Sequence, residues 1–143
     1  MKVFLDTNVI IDLFDSTREF HMPAAVVFDL AVKGKLDVSV CSQSFVNAFY
    51  VLRKIYSKAD LYDKMHKLFK LCNVTPVDAL IIERALNREG HDFEDTVQYF
   101  SYRTIDANII LTRDKKGFEE YEVECLSPSD FLDKYLYEIV ESK

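Results

Sequence analysis

Short apolar segments alternate along this chain with longer amphipathic segments, and this alternation limits the fold more than any other feature. Strand candidates are Lys2–Leu5, Asp37–Cys41, Ala107–Leu111 and Tyr121–Leu126, with a weaker one at Asn73–Thr75. Such alternation is typical of α/β proteins with a parallel sheet. Because Lys2–Leu5 is apolar at successive positions, we predict a central strand that is buried on both faces.

The segments between the strand candidates carry helix-start signals or apolar residues at helical spacing. Asp92 is placed to cap a helix over Phe93–Tyr102, and Ser127-Pro128 begins the last helix of the chain. The other helices are expected at Pro23–Val32, Phe45–Tyr56, Leu61–Leu71 and Val77–Leu86. No repeat or linker divides the chain, so we expect a single domain over residues 1–143.

Composition excludes several classes of protein. The 3 glycines are far apart, which excludes the dinucleotide fingerprint, the P-loop and the nucleophile elbow. The 3 separated cysteines form no disulfide framework or zinc pair, and the 3 histidines lack metalloprotease spacing. A net charge of −6 gives no general attraction to nucleic acid or anionic membranes. Acidic residues interrupt the apolar N-terminal run, so we expect a soluble cytoplasmic protein without a membrane span.

Acidic residues stand where the predicted strands end. Asp6 follows the first strand, Asp114 follows the Ala107–Leu111 strand, and Asp95 lies at the start of the helix before that strand. Ligands of open parallel sheets gather at the carboxyl ends of the strands. Converging carboxylates without a basic partner repel one another, and Mg²⁺ or Mn²⁺ would relieve that repulsion and activate water. The pattern therefore suggests metal-assisted phosphodiester hydrolysis.

Each of these carboxylates also has a purely structural interpretation. Asp6 could cap the following helix, and Asp114 could be a turn residue. Asp95 could be an acid in the first turn of a helix, where the helix dipole favours a negative charge. For Asp92 a helix cap is the expected role, although it could face the same side as Asp95 and support the site. Asp12 is expected on the solvated face of a short helix.

Three segments, FLDTNVIIDLF, DFEDTVQYFS and NIILTRDKKGF, occur in this order. Together they resemble the PIN domain, a family of small metal-dependent ribonucleases that includes the VapC toxins of toxin–antitoxin pairs. The resemblance covers essentially the whole chain, because SPSDFL matches the last strand-to-helix turn of the family. It implies a Rossmann-like three-layer α/β/α fold, with a central parallel sheet of four or five strands in the order 3-2-1-4-5.

The resemblance also implies site residues and a cofactor. Asp6, Asp95 and Asp114 match the acids that bind the metal and carry catalysis, with Mg²⁺ or Mn²⁺ as the implied ion. Asn8 matches the asparagine that accompanies the first acid, and Thr112 matches the hydroxyl partner of Asp114.

Asn47 departs from the family pattern. The family usually carries a glutamate at this position, in a segment of the form S-x-x-x-x-E, and here the segment runs from Ser42 to Asn47. An amide oxygen can bind Mg²⁺ or hold a bound water, but it supplies no charge and cannot act as a base. We therefore expect weaker metal affinity than in a protein with the glutamate.

Basic residues adjoin the predicted acid cluster. Arg113, Lys115 and Lys116 surround Asp114 and could hold a substrate phosphate, although a solvated run of charges is the alternative. The resemblance implies RNA as substrate and allows a separate antitoxin polypeptide and a homodimer as partners.

Three functions are compatible with these residues. The leading hypothesis is a metal-dependent endoribonuclease, for which the resemblance implies the role of a toxin in a toxin–antitoxin pair. The second is a catalytically impaired PIN-like module that binds RNA or protein, which Asn47 favours. The third, phosphoryl transfer in another acid-bearing α/β fold, is disfavoured because Asp6-Thr7-Asn8 lacks the D-x-D of haloacid-dehalogenase-like phosphatases.

Overall fold

A five-stranded sheet forms the centre of the protein. The computed structural model describes residues 1–142. Its strands are β1 (Lys2–Leu5), β2 (Asp37–Cys41), β3 (Asn73–Thr75), β4 (Ile109–Leu111) and β5 (Glu124–Leu126). They lie in the order β3-β2-β1-β4-β5, and every neighbouring pair is parallel. The implied strand order is confirmed, with five strands.

Helices connect the strands and cover both faces of the sheet. They are α1 (Thr7–Phe14), α2 (His21–Val32), α3 (Ser42–Leu52), α4 (Lys58–Leu71), α5 (Ala79–Arg88), α6 (Phe93–Tyr102) and α7 (Pro128–Glu141), with a short 3₁₀ helix at Lys115–Phe118. Within residues 1–142, no helix has both the length and the apolar character that crossing a membrane requires.

The central strand β1 supplies both cores, as its apolar sequence predicts. Val3 and Leu5 pack into the larger cluster on one face, whereas Phe4 packs into a second cluster on the other face. All three side chains are fully buried. The second cluster contains Tyr99 of α6 and Phe118 of the 3₁₀ helix. These two elements are therefore fixed against the sheet close to the end of β1.

Local capping signals predicted two helix starts correctly. Asp92 accepts a hydrogen bond from the Asp95 backbone N–H (3.0 Å), and Ser127 accepts one from Asp130 (3.0 Å). Strand β4 is shorter than predicted because Ala107 lies outside the ladder. Its carbonyl instead accepts a hydrogen bond from the Tyr102 hydroxyl (2.7 Å).

The prediction that Asp12 lies on a solvated face is wrong. Asp12 is fully buried on α1, which packs between the sheet, α2 and α3. The Arg113 Nε donates to Asp12 Oδ2 (2.6 Å), and an Arg18 guanidinium nitrogen lies 4.0 Å from the other carboxylate oxygen. Burial raises the pKa of Asp12, while Arg113 acts in the opposite direction. The pair ties α1 to the loop after β4.

Replacement of Arg113 by methionine is expected to lower the free energy of unfolding by about 3 kcal/mol, because it removes the hydrogen-bonded counterion of the buried Asp12 and leaves Arg18 at 4.0 Å. Urea denaturation measures this loss. Lys116→Met is the matched control, since Lys116 is exposed, and should change stability by no more than about 0.5 kcal/mol. A similar small effect for both variants would contradict a stabilising role of the pair.

Candidate active site

Asp6 lies at the junction of β1 and α1, at the carboxyl edge of the sheet. Its backbone occupies the N-cap position of α1, but its carboxylate makes no capping hydrogen bond. Instead Oδ1 accepts from Gln98 Nε2 (2.8 Å), and Oδ2 accepts from Thr112 Oγ1 (2.6 Å) and Asn8 Nδ2 (3.1 Å). The side chain is only 5% exposed. The carboxylate is thus held in one orientation by neutral donors from α1, α6 and the loop after β4.

Asp95 stands opposite, in the first turn of α6. Its pKa is raised to about 7, first by burial and then by the neighbouring carboxylates of Asp6, Asp92, Glu94 and Asp114. Within residues 1–142, Asp95 forms no ion pair with a lysine or arginine. Its carboxylate is therefore destabilised by like charges that no basic group in the described chain offsets.

Asp114 enters the site from the loop after β4. Its backbone N–H donates to Thr112 Oγ1 (3.0 Å), and its Oδ1 accepts from the Lys116 N–H (3.2 Å). Asp114 therefore caps the 3₁₀ helix, as the structural interpretation allowed, and still lines the acid pocket. Thr112 is fully buried and joins Asp114 to Asp6 through its single hydroxyl group.

Gly117 allows the 3₁₀ helix to approach Asp95. A Cβ atom built at Gly117 would lie 1.7 Å from Asp95 Oδ2, far inside van der Waals contact. Only a residue without a side chain leaves room for the carboxylate at this place. The glycine in the KKGF segment thus helps to bring the loop that carries Asp114 against the start of α6.

The predicted acids line one pocket of about 310 Å³, which we call the acid pocket. Asp6, Asp95 and Asp114 are all part of its wall. Its other lining residues are Thr7, Asn8, Ile11, Asn47, Val51, Asp92 and Glu94. The structure therefore brings together side chains that are separated by as many as 108 positions in the sequence.

Glu94 is a further carboxylate of the acid pocket, and it was not predicted as a site residue. Burial raises the pKa of Glu94, and the charges of Asp6 and Asp92 act in the same direction. Asn47, on α3, lines the same pocket, and its Oδ1 accepts from Gln43 Nε2 (3.2 Å). The acid pocket thus receives the carboxylate of Glu94 from α6 and the amide of Asn47 from α3.

The predicted phosphate contacts lie outside the lining of the acid pocket; they are Arg113, Lys115 and Lys116. The guanidinium of Arg113 is engaged by Asp12, whereas its backbone N–H donates to Asn8 Oδ1 (3.3 Å). Lys115 lies 3.4 Å from the Asp130 carboxylate, and Lys116 is exposed. The structure thus assigns Arg113 a contact that the sequence did not indicate.

The donor set of the acid pocket fits a hydrated divalent cation. Among the residues that the structure describes, no three His, Cys, Asp or Glu side chains already form a complete metal-binding group. Mg²⁺, however, keeps several water ligands and usually takes only one or two protein carboxylates directly. Carboxylate and amide oxygens, with no thiol or imidazole in the lining, are the ligands that such a hard ion prefers.

Known proteins are similar to this chain in sequence and in fold. A family model described as PIN domain matches residues 2–116. The chain belongs to the PIN domain family. Ribonuclease VapC1 of Aquifex aeolicus (strain VF5) is 29% identical over 139 residues, which cover 94% of this chain and 95% of that protein.

Two solved structures share the fold of this PIN domain protein. Mycobacterium tuberculosis VapC20, a sarcin–ricin loop cleaving toxin, has a TM-score of 0.67 at 19% identity and covers 85% of this chain and 97% of its own. Rickettsia felis VapBC2, bound to a DNA fragment from their promoter, has a TM-score of 0.62 at 14% identity and covers 89% of this chain and 98% of that one. At these identities the likeness establishes the fold alone.

A pH-dependent stability is expected from Asp95 in the metal-free PIN domain. In the folded protein Asp95 keeps its proton up to about pH 7, whereas its ordinary pKa in an unfolded chain is 3.8. The folded state binds more protons between these values, so the contribution of Asp95 to stability declines as pH rises from about 4 to 7. Asp95→Asn should therefore raise the Tm by about 3–8 °C at pH 7.5 and change it little near pH 4.

Thermal denaturation in the presence of a chelator measures this difference. Asp133→Asn is the matched control, because Asp133 is exposed on α7, and its Tm should follow that of the unchanged protein at every pH. If Asp95→Asn also followed the unchanged protein at pH 7.5, neither burial nor the neighbouring carboxylates would penalise the charged form of Asp95.

Proposed function

We propose that this PIN domain protein is a metal-dependent endoribonuclease that hydrolyses RNA phosphodiester bonds. The observation that carries the proposal is the acid pocket, where Asp6, Asp95 and Asp114 converge without an ion pair to any basic side chain of the described residues. The 29% identity to a ribonuclease over nearly the full length of both chains supports the same activity.

Mg²⁺ or Mn²⁺ is the cofactor that we propose for the acid pocket. Asp6, Asp95 and Asp114 would hold the ion directly or through water, with Asn8, Asn47 and Asp92 in support. When bound, such an ion offsets the carboxylate charges, activates a water molecule and stabilises charge on the phosphoryl group.

The protein itself orients the proposed ligands. Gln98 and Thr112 fix both oxygens of Asp6, and the Asp92 cap fixes the first turn that carries Asp95. Groups that are oriented before substrate binds lower the cost of reorganisation during the reaction. Gln98 and Thr112 are thus positioning residues, since they act through Asp6.

For the substrate backbone we propose Lys115 and Lys116 as phosphate contacts. Both are exposed beside Asp114. Arg113 would have to leave its hydrogen bond with Asp12 to bind a phosphate. Its stronger role is therefore to position the loop through Asp12 and Asn8.

A toxin of a toxin–antitoxin pair is the biological role that we propose for this ribonuclease. The structural relatives include the VapBC2 pair of Rickettsia felis. An antitoxin would be a separate polypeptide that binds near the acid pocket and blocks the metal or RNA. We also propose a homodimer and a cytoplasmic location, where RNA substrates occur.

A catalytically impaired RNA- or protein-binding module is the second candidate. The observation that favours it is Asn47, which lines the acid pocket at the place of the expected glutamate. An amide at this position lowers the negative charge available to a cation. Glu94 argues in the other direction, because it adds a carboxylate to the same pocket.

The ribonuclease proposal predicts that Asp6→Asn abolishes cleavage. A fluorescently labelled oligoribonucleotide should be cut in Mg²⁺ or Mn²⁺ and left intact in EDTA. Because even residues behind a metal ligand typically cost about 10–100-fold, loss of a ligand carboxylate should lower kcat/KM by more than about 100-fold. Asp133→Asn should retain full activity. Cleavage that survives both EDTA and Asp6→Asn would contradict the proposal.

Asn47→Glu distinguishes the two candidates. If the protein is a weakened nuclease, the added carboxylate should raise both Mn²⁺ affinity, measured by isothermal titration calorimetry, and the rate of metal-dependent cleavage by about 10-fold or more. Asn87→Glu, an exposed position on α5 outside the acid pocket, is the control for added charge. No gain in rate, together with no measurable Mn²⁺ binding, would support the binding module.

A further inference from the structure

A second cavity adjoins the acid pocket. Its volume is about 330 Å³, and it lies between α3, α5 and α6. Thr7, Asn47 and Glu94 line both cavities, so they form the boundary between the two. A molecule that places a phosphate among the acids can therefore extend directly into this second cavity, which we call the side cavity.

The side cavity has one apolar wall and one amide-rich wall. Val77, Ile82, Phe93 and Val97 form the apolar wall. Phe93 is half exposed, so its ring is accessible to a flat ligand. The other wall carries the amides of Gln43, Asn47 and Gln98, which contain both donors and acceptors.

Gln98 has an unused acceptor at this place. Its Nε2 donates to Asp6 Oδ1 (2.8 Å), which fixes the amide and turns its oxygen away from Asp6. Gln98 is 2% exposed, and its Oε1 is one of two buried side-chain atoms without a hydrogen-bond partner among residues 1–142. A buried acceptor without a donor costs stability. Because Gln98 also lines the side cavity, one side chain contacts both that cavity and Asp6.

We propose that the side cavity binds the base of the nucleotide next to the scissile phosphate. This inference rests on the proposed ribonuclease function and names how the substrate is selected. Single-stranded RNA is recognised through bases that lie on aromatic side chains and form hydrogen bonds through their edges. The volume is at the lower end of the range of about 300–1,000 Å³ for ligand pockets, which suits a single base.

In this arrangement the face of the base packs against Phe93 and the apolar wall. The donors and acceptors on the edge of the base meet the amides of Gln43 and Asn47. Gln98 then joins base selection to the geometry of Asp6, since its side chain lines the side cavity and donates to Asp6. The protein should therefore cleave RNA beside a preferred base.

Cleavage of an oligoribonucleotide with randomised central positions tests the inference, with Mn²⁺ present and sequencing of the product ends. The unchanged protein should show a preference of at least about 10-fold for one base at a fixed position beside the cut, since good base contacts discriminate by roughly 5–150-fold. Ile82→Trp, which fills the side cavity, and Gln43→Ala, on the exposed start of α3, should each reduce that preference at least threefold. Leu86→Trp, exposed one turn further along α5, is the matched control and should keep it.

Equal use of all four bases by an active protein overturns the inference and leaves the ribonuclease proposal intact. The same conclusion follows if Ile82→Trp and Gln43→Ala keep the preference. If the protein cleaves no RNA, the proposed function fails and the side cavity is judged by binding alone. Nitrogen-15 NMR with the four nucleoside 5′-monophosphates then decides. Saturable shifts of the Gln43 and Gln98 side-chain amides, lost in Ile82→Trp, support a base subsite, and their absence overturns it.

Discussion

Repulsion among carboxylates at one edge of the sheet is the constraint on which the candidate site depends. Burial, followed by the charges of the neighbouring carboxylates, raises the pKa of Asp95 to about 7, so an additional negative charge is unfavourable at this place. The protein nevertheless holds Asp6 in position with neutral donors from Gln98 and Thr112, which orient the carboxylate without cancelling its charge. A cluster of like charges is stable when burial of the core offsets the free-energy cost of their repulsion. A bound cation would lower that cost directly.

The sheet order is what brings these carboxylates together. Strands β1 and β4 are neighbours, so Asp6 and Asp114 emerge side by side although they are far apart in the chain. The ion pair between Arg113 and the buried Asp12 joins the same two regions. Stability and site geometry are therefore coupled, because a change that separates α1 from the loop after β4 also moves Asp6 relative to Asp114.

Much of this arrangement could be predicted where the determining signals are local. The cap at Asp92 and the apolar run of β1 each depend on adjacent residues, and both were predicted correctly. Asp12 was not, because its burial depends on α1 being enclosed by other helices and on Arg113, which is 101 positions away. Glu94 and Gln98 share a helix with Asp95, but only the packing of α6 against β1 shows that they face Asp6. Family resemblance, rather than residue periodicity, supplied the strand order.

A crystal of the protein soaked in Mn²⁺ tests the central claim most directly, because anomalous scattering locates the ion without reference to activity. One strong peak is expected in the acid pocket, with carboxylate oxygens of Asp6 and of Asp95 or Asp114 at direct or water-mediated coordination distance. An acid pocket without a peak at saturating Mn²⁺, or carboxylates neutralised there by lysine or arginine side chains, would contradict it.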